Sequence, residues 1–258
     1  MISLSGTKNV GILVVSCDRY SDLWEPFFHC LFKYWPDCPY QIYLGSGAIA
    51  FNNPRVRTLY YGNDISYSDN LSILLDKISE CWVVTWVDDR FLSETVDTLL
   101  VQRLIEEAQC RGAAYSKLIP EGPLAIPEGE SSWGMVPTGT RYRVSMTIGL
   151  WQKDLLKQLL IGDESAWEIE RLGSVRSDRI GAPFLALTSD FRKSPPLRHI
   201  HVVIKGRLVR SSLGFLRKEC LTNQLKKRVF ESRISSFYVW SYHLLFRTVD
   251  FLRRRIGT

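Results

Sequence analysis

The sequence predicts an α/β fold with a mainly parallel central sheet, and two observations carry that prediction. Through the first 110 residues, short β-branched and aromatic runs alternate with longer segments whose apolar residues recur at helical spacing. That alternation is how crossover units build a parallel sheet. The fourth run, Val83, Val84, Thr85, Trp86 and Val87, ends directly in two adjacent carboxylates, Asp88 and Asp89. The carboxyl ends of strands are where open α/β sheets bind ligands. A chain of 258 residues, 45% hydrophobic and 23% charged, is globular and long enough to bury a large core in one domain.

Each element follows in order. Residues 10–16 (VGILVVS) form a first strand, closed by the polar turn Cys17-Asp18-Arg19-Tyr20. Asp22 is placed to cap the next helix, with Glu25 three residues on as in a capping box, and Pro26 falls in the first turn, where its missing N–H costs little. Leu23, Phe27 and Leu31, beside Trp24, Phe28 and Phe32, give this helix a wide apolar face, and Pro36 and Pro39 end it. Strands follow at 40–44 and 56–60, then a helix at 69–79 with Leu71, Leu74, Leu75 and Ile78 on one side. After the aspartate pair, Ser93 opens a helix carrying Val96, Leu99, Leu100, Leu104 and Ala108. Residues 113–119 add a strand. Residues 120–140 hold four prolines and four glycines around Trp133, and a loop that long inside a domain is usually functional or mobile. A strand is predicted at 142–151, a helix at 154–160, a short turn capped by Ser165 over 166–170, and a strand at 199–204 closed by Lys205-Gly206-Arg207. Residues 222–256 read as largely helical, with Phe230, Phe237, Trp240, Leu244 and Leu245 forming an apolar stripe among Lys and Arg.

Composition narrows the class. The net charge of +6 is unevenly placed: residues 205–258 hold 13 Lys/Arg against 3 Asp/Glu, leaving 20 against 24 in residues 1–204. A near-neutral body with a basic tail points to an anionic partner surface, membrane or nucleic acid. The six cysteines show no C-x-x-C spacing, which argues for free buried thiols in a reducing compartment and against a zinc site. No signal peptide and no uninterrupted apolar run of about 18 residues are visible, so a cytoplasmic location is expected. No G-x-G-x-x-G follows the first strand and no P-loop occurs, which removes the dinucleotide fingerprint and the Walker nucleotide site.

The aspartate pair carries the chemistry. Two adjacent carboxylates repel unless a positive group lies between them, and a hard divalent cation with oxygen ligands is the usual solution. The competing reading makes both aspartates solvated turn residues.

Four segments taken together, VVSCDRYSDLWEPFFHCLFKYWPDCPYQIYLGS, the VDDRFL turn, YRVSMTIGLWQKDLL and ESAWEIERLGSVRS, resemble bacterial nucleotide-sugar glycosyltransferases of the GT-A fold, from surface-polysaccharide clusters such as O-antigen, lipopolysaccharide and capsule. The resemblance spans residues 9 to about 215 in order. It implies a Rossmann-like nucleotide-binding half (1–112), an acceptor half (113–218) and a basic amphipathic tail (219–258). It implies Mn²⁺ or Mg²⁺ held against the donor diphosphate, with Asp89 the direct ligand and Asp88 a water-mediated or ribose contact. VDDR replaces the usual D-x-D triplet, and Arg90 stands where a third acid is common. The end of the first strand, Ser16, Asp18 and Arg19, corresponds to the nucleotide contacts, while Asp69 reads as a helix cap. An inverting transfer needs a general base opposite the leaving diphosphate. WEIE resembles the family's Trp-x-x-Glu element and makes Glu170 the first candidate and Glu168 the second. Trp133 and Trp167 are the candidate acceptor contacts, and Lys205, with Arg207, a candidate for diphosphate charge. His199 and His201 are read as core residues outside the site.

The expected partners are therefore a nucleotide-sugar donor, UDP-sugar first, a glycan or lipid-linked acceptor, and an anionic membrane surface reached through the C-terminal helix. Nucleic acid is not expected. The rival readings are a nucleic-acid- or membrane-surface-binding protein acting through the basic tail, a two-metal phosphoesterase or nuclease, and a non-catalytic protein of the same fold. The phosphoesterase would need more clustered carboxylates or histidines than the sequence offers.

Overall fold

The computed structural model describes residues 9–122, 125–127, 129 and 131–231. In the first part of the chain the elements are β1 (Val10–Val15), α1 (Trp24–Tyr34), β2 (Gln41–Ser46), β3 (Val56–Tyr60), α2 (Tyr67–Asp76), β4 (Trp82–Val87), β5 (Arg90–Leu92) and α3 (Thr98–Cys110). There follow β6 (Tyr115–Lys117), β7 (Ile126–Pro127), β8 (Trp133–Met135), β9 (Gly149–Gln152), α4 (Lys153–Leu159), α5 (Ala166–Glu168), α6 (Ser174–Ser177), β10 (Phe184–Leu187), β11 (His199–His201), β12 (Val203–Ile204), β13 (Arg207–Leu208) and α7 (Leu213–Lys218).

Nine of these strands form one sheet in the order β3-β2-β1-β4-β9-β6-β10-β8-β7. The four strands from β3 to β4 are mutually parallel. β9 runs antiparallel between β4 and β6, β10 lies parallel to β6, and β8 and β7 reverse in turn. Seven of the nine strands therefore point one way (β1 to β4, β6, β7 and β10), and only β8 and β9 oppose them. The mainly parallel α/β class read from the sequence is the class the structure has.

Alternation along the strands explains why the sheet is covered on both faces. Ile12, Val14, Ile42, Leu44, Val84 and Trp86 point to one side, into a core completed by α1 and α3. Leu13, Val15, Tyr43 and Val83 point to the other, against α2 and α4. A Cβ on Gly45 would lie 2.5 Å from a Leu74 methyl, so the glycine lets α2 close onto β2. The chain leaves β1 for β2 and β3 on one side and returns to β4 on the other. The β1/β4 boundary is thus a topological switch point, and its carboxyl edge is the crevice where such sheets take ligands.

Several local expectations are corrected. Asp22 does not cap α1, whose N-cap is Leu23 with no side-chain bond; its carboxylate instead pairs with Arg228, 2.5 and 2.7 Å away. α3 starts at Thr98, capped by Asp97, rather than at Ser93. Residues 90–92 are drawn into β5 by antiparallel pairing with β11, and the Ser93 amide extends that pairing to the Arg198 carbonyl. The strand expected over 142–151 shortens to Gly149–Gln152, and its first half is a loop along the crevice. The loop at 120–140 contains β7 and β8 at the far sheet edge. Ser165 does cap α5, in a full capping box with Glu168.

The tail is integral to the body as far as it is described. Over 222–231 the chain runs in turns, not in the predicted helix. Leu221 and Leu225 are buried in the α1/α3-side core, and residues 229–231 hydrogen-bond Leu208 through their backbone, which takes them out of a helical pattern. Glu219 accepts hydrogen bonds from Lys33 Nζ (2.6 Å) and Tyr34 Oη (2.7 Å), fastening this segment to α1. Phe237, Trp240, Leu244 and Leu245 lie outside the described residues. Three of the six cysteines, Cys81, Cys110 and Cys220, are exposed rather than buried, and all six are free thiols.

Candidate active site

A cleft of about 480 Å³ opens at the carboxyl edge over the β1/β4 switch point. Val15 pairs with Val87 in the sheet, so the next residues on each strand, Ser16 and Asp88, face each other at its lip. Ser16 Oγ donates a short hydrogen bond to Asp88 Oδ2 and accepts one of 2.7 Å from Trp24 Nε1. Burial pushes the Asp88 carboxyl well above the usual range; the Ser16 bond opposes that shift, and the neighbouring Asp89 charge adds to it. Asp88 is therefore an interior group that ties the two strand ends together.

Asp89 is held differently. Its backbone carbonyl accepts from the Val202 amide (2.8 Å), and its Oδ2 lies 3.1 Å from His201 Nε2. Its Oδ1 is buried and has no hydrogen-bond partner among the described residues. An anionic oxygen left that way is costly unless a ligand completes it, and the donor type fits a hard divalent cation. Among the described residues no three His, Cys, Asp or Glu side chains converge as a protein-only metal site. A cation beside Asp89 would have to fill its shell with phosphate and water oxygens, as Mg²⁺ commonly does. Arg90 turns away from the pair: its guanidinium meets Glu121 (3.1 Å) and His199 Nε2 (2.7 Å).

The opposite wall comes from the α5–α6 segment. Ile169–Gly173 forms a π-helical turn between α5 and α6, a distortion that often marks functional positions. It directs Glu170 into the cleft, where Oε1 accepts from Ser145 Oγ (2.9 Å) and the Met146 amide (2.8 Å). Trp167 stands on the rim, 61% exposed, with Lys205 Nζ 4.8 Å from its ring centre. Lys205 occupies the β12–β13 turn with φ of +49°.

Of the residues proposed from sequence, Ser16, Arg19, Asp88, Asp89, Trp167 and Glu170 share this cleft. Asp18 does not line it. Its carboxylate takes hydrogen bonds from Ser46 Oγ and the Gly47 amide (both 2.8 Å) and the Ala48 amide (3.0 Å). Burial works against its charge, but those bonds prevail and hold it below the usual carboxylate range. Glu168 is exposed and bonded to Ser165 in the capping box, which lowers its carboxyl, and it does not line the cleft. Trp133 is a correction: it is fully buried and its Nε1 donates to the Leu104 carbonyl (3.0 Å), so it is core beneath α3 and cannot meet an acceptor. Asp69 accepts from the true cap, Ser66 (2.5 Å), and from the Asp163 amide.

His201 and Tyr67 line the cleft although the sequence reading places neither in the site. His201 was assigned to the core, yet β11 lies antiparallel on β5 and carries it to Asp89. The H-x-H alternation put both rings on one side of a strand, but nothing local indicated which element that strand would join. Tyr67, the first residue of α2, also lines the cleft, and it carries no sequence signal beyond helical position.

Neither a protein-family model nor a curated protein matches the chain. Among solved structures it is similar to S. aureus TarS 1-349 in complex with UDP-GlcNAc, at 10% identity and a TM-score of 0.46, covering 70% of this chain and 58% of that one. It is similar to the bifunctional IspDF from Campylobacter jejuni, at 13% identity and 0.44, covering 75% of this chain and 52% of that one. A Methanothermobacter nucleotidyl transferase gives 16% identity and 0.46, covering 72% and 88%. The chain thus spans little more than half of the first two. Likenesses at this level assign no residue a role.

Proposed function

We propose that this protein is a GT-A-type glycosyltransferase, hexosyltransferase-like, that moves a sugar from a nucleoside diphosphate donor, UDP-sugar first, to a glycan acceptor. One observation carries the reading: Asp89, with a buried carboxylate oxygen that has no partner among the described residues, and Glu170 line the same cleft from different walls at the switch point. An anionic diphosphate is repelled by the Asp89 carboxylate, so the donor end of the cleft calls for a cation, Mn²⁺ or Mg²⁺. Asp89 would hold it, with His201 beside it, while Asp88 keeps the strand ends aligned. Bound there, the metal would neutralise the charge of the departing diphosphate. Arg19, at the same end, suits the nucleotide.

Glu170 would take the proton of the acceptor hydroxyl as the acceptor oxygen attacks the anomeric carbon from the face opposite the diphosphate, giving inversion. Its position supports this role, because Ser145 and the Met146 amide orient Oε1, while no hydrogen bond engages Oε2 among the described residues. Trp167 offers a ring face to an acceptor sugar. We read the net charge of residues 205–258 as contact with an anionic membrane, where a lipid-linked acceptor of surface-polysaccharide synthesis would be presented, on the cytoplasmic side. No helix among the described residues is long and apolar enough to cross a membrane.

A thermal-shift panel of nucleoside diphosphates and nucleotide sugars, with and without Mn²⁺, tests the reading. A ligand that binds only the folded state stabilises it by about 2.7 kcal/mol at a hundredfold excess over Kd. The expected result is a metal-dependent shift with one nucleotide class that disappears in Asp89→Asn. No shift with any nucleotide, alongside stabilisation by RNA or anionic lipid, would return the function to the basic tail.

A further inference from the structure

Tyr67 is the cleft residue whose chemistry the reaction scheme leaves unexplained. It begins α2, with Ser66 as N-cap, and its ring packs against the core on the α2/α4 face. Its neighbour one turn on, Asn70, is engaged in holding the preceding loop through Asp64 (2.7 Å). The Tyr67 hydroxyl is out of contact with solvent and has no hydrogen-bond partner among the described residues. Buried hydroxyls almost always find one, so the exception asks for a ligand. The side chain lines the cleft, and burial together with Glu170, Asp88 and Asp89 raises its pKa, which leaves the phenol protonated.

We propose that the Tyr67 hydroxyl is the donor that recognises the sugar of the substrate, through a neutral oxygen of that sugar. Position and charge both argue for a sugar rather than a phosphate. Tyr67 lines the cleft together with the carboxylates of both walls, Asp88 and Asp89 on one and Glu170 on the other, and so borders the interval between the diphosphate end and the acceptor end. In the transfer proposed above, on which this inference rests, the transferred sugar occupies that interval. The cation proposed beside Asp89 serves the phosphates, and a phenol adds no positive charge with which to hold one. A neutral sugar oxygen needs only a donor. A site with a buried polar group that the right substrate satisfies discriminates strongly against a substrate that leaves it unmet.

The test is Tyr67→Phe, which removes one oxygen and no packing. The ligand-free variant is expected to melt at or above the wild-type temperature, because the lost hydroxyl has no partner among the described residues. Binding is then measured by calorimetry with Mn²⁺, using UDP and a panel of UDP-hexoses and UDP-N-acetylhexosamines. UDP should bind both proteins equally, while the preferred UDP-sugar binds the variant roughly 3- to 10-fold more weakly, the loss of one buried hydrogen bond. An unchanged UDP-sugar affinity, meaning that a water serves the hydroxyl, overturns the assignment and leaves the transferase reading intact. So does an equal loss for UDP and UDP-sugar, which would make the contact a phosphate one. A wild type that binds neither UDP nor any UDP-sugar overturns the underlying reading and the assignment with it.

Discussion

The two walls of the cleft are built on opposite principles. The aspartate wall stands on β1 and β4, adjacent central strands whose Val10–Val15 run is buried throughout. The glutamate wall is a succession of short pieces, a three-residue helix, a π turn and a four-residue helix, with Trp167 and Val175 more than half exposed. The strand wall carries a carboxylate oxygen, Asp89 Oδ1, left without a partner among the described residues, whereas the irregular wall carries a glutamate already oriented by two donors and an aromatic ring open to solvent. Unmet charge persists only where the surroundings over-determine its position. An adaptable wall can afford exposed contacts but not a misplaced ion. The difference assigns the constant part of a substrate to the strands and the variable part to the helical pieces.

Glu170→Gln separates the walls most sharply. Glutamine still accepts from Ser145 and Met146 but cannot take a proton, so kcat should fall by roughly 10²- to 10⁴-fold. The metal-dependent nucleotide shift should survive, in contrast to Asp89→Asn, where binding goes as well. Single-turnover rates beside melting curves read both. Retained turnover would reduce Glu170 to an anchor for the 145–146 loop.

Behind the aspartate wall, α1 packs on β1 and β4 and is itself fastened to the segment that follows α7. Glu219, with a fully buried side chain, joins that segment to α1 through Lys33 and Tyr34. Glu219→Gln should cost about 1–3 kcal/mol, the range for breaking a buried hydrogen bond to a charged group. Burial opposes the Glu219 charge, but the Lys33 and Tyr34 bonds outweigh it and lower the carboxyl. A lowered folded-state pKa contributes stability above the unfolded value, about 4.3, and loses it as pH falls through the folded value. The melting-temperature gap between wild type and variant should thus be full at pH 6 and close below about pH 4. A gap that persists in acid would mean that packing, not charge, fastens the tail.

The same contrast governs what could be read from the sequence. β1 and β4 announce themselves because strands buried on both faces are continuous apolar runs, and the aspartates follow from where β4 stops. Glu170 was legible only through a resemblance, since the π turn that aims it has no composition of its own. Trp133 misled because a tryptophan in a Pro/Gly-rich loop looks exposed, while β8 pairing with β10 draws it into the core. His201 and the β5–β11 pairing depend on residues more than a hundred positions apart, and no local pattern encodes that contact. Residues 222–231 kept helical spacing yet pair with Leu208 by backbone, a tertiary contact overriding propensity.

The smallest effect tests whether the helical wall meets the acceptor at all. Trp167 is the most exposed tryptophan among the described residues and touches Lys205 through its ring face. Removing it should leave the melting temperature nearly unchanged, as for most exposed positions. A sugar ring stacked on it would be lost in Trp167→Ala, raising the acceptor KM roughly 2- to 10-fold, the scale of one ring contact at about 0.5–1.5 kcal/mol, with donor KM and kcat little altered. Lys205→Ala supplies the control, because it removes the cation over the ring and leaves the ring itself. A rise in acceptor KM confined to Trp167→Ala places the acceptor on the rim. Equal rises in both variants would mean that the ring and lysine act as one clasp holding the β12–β13 turn, and no change in either would move the acceptor site away from the helical wall.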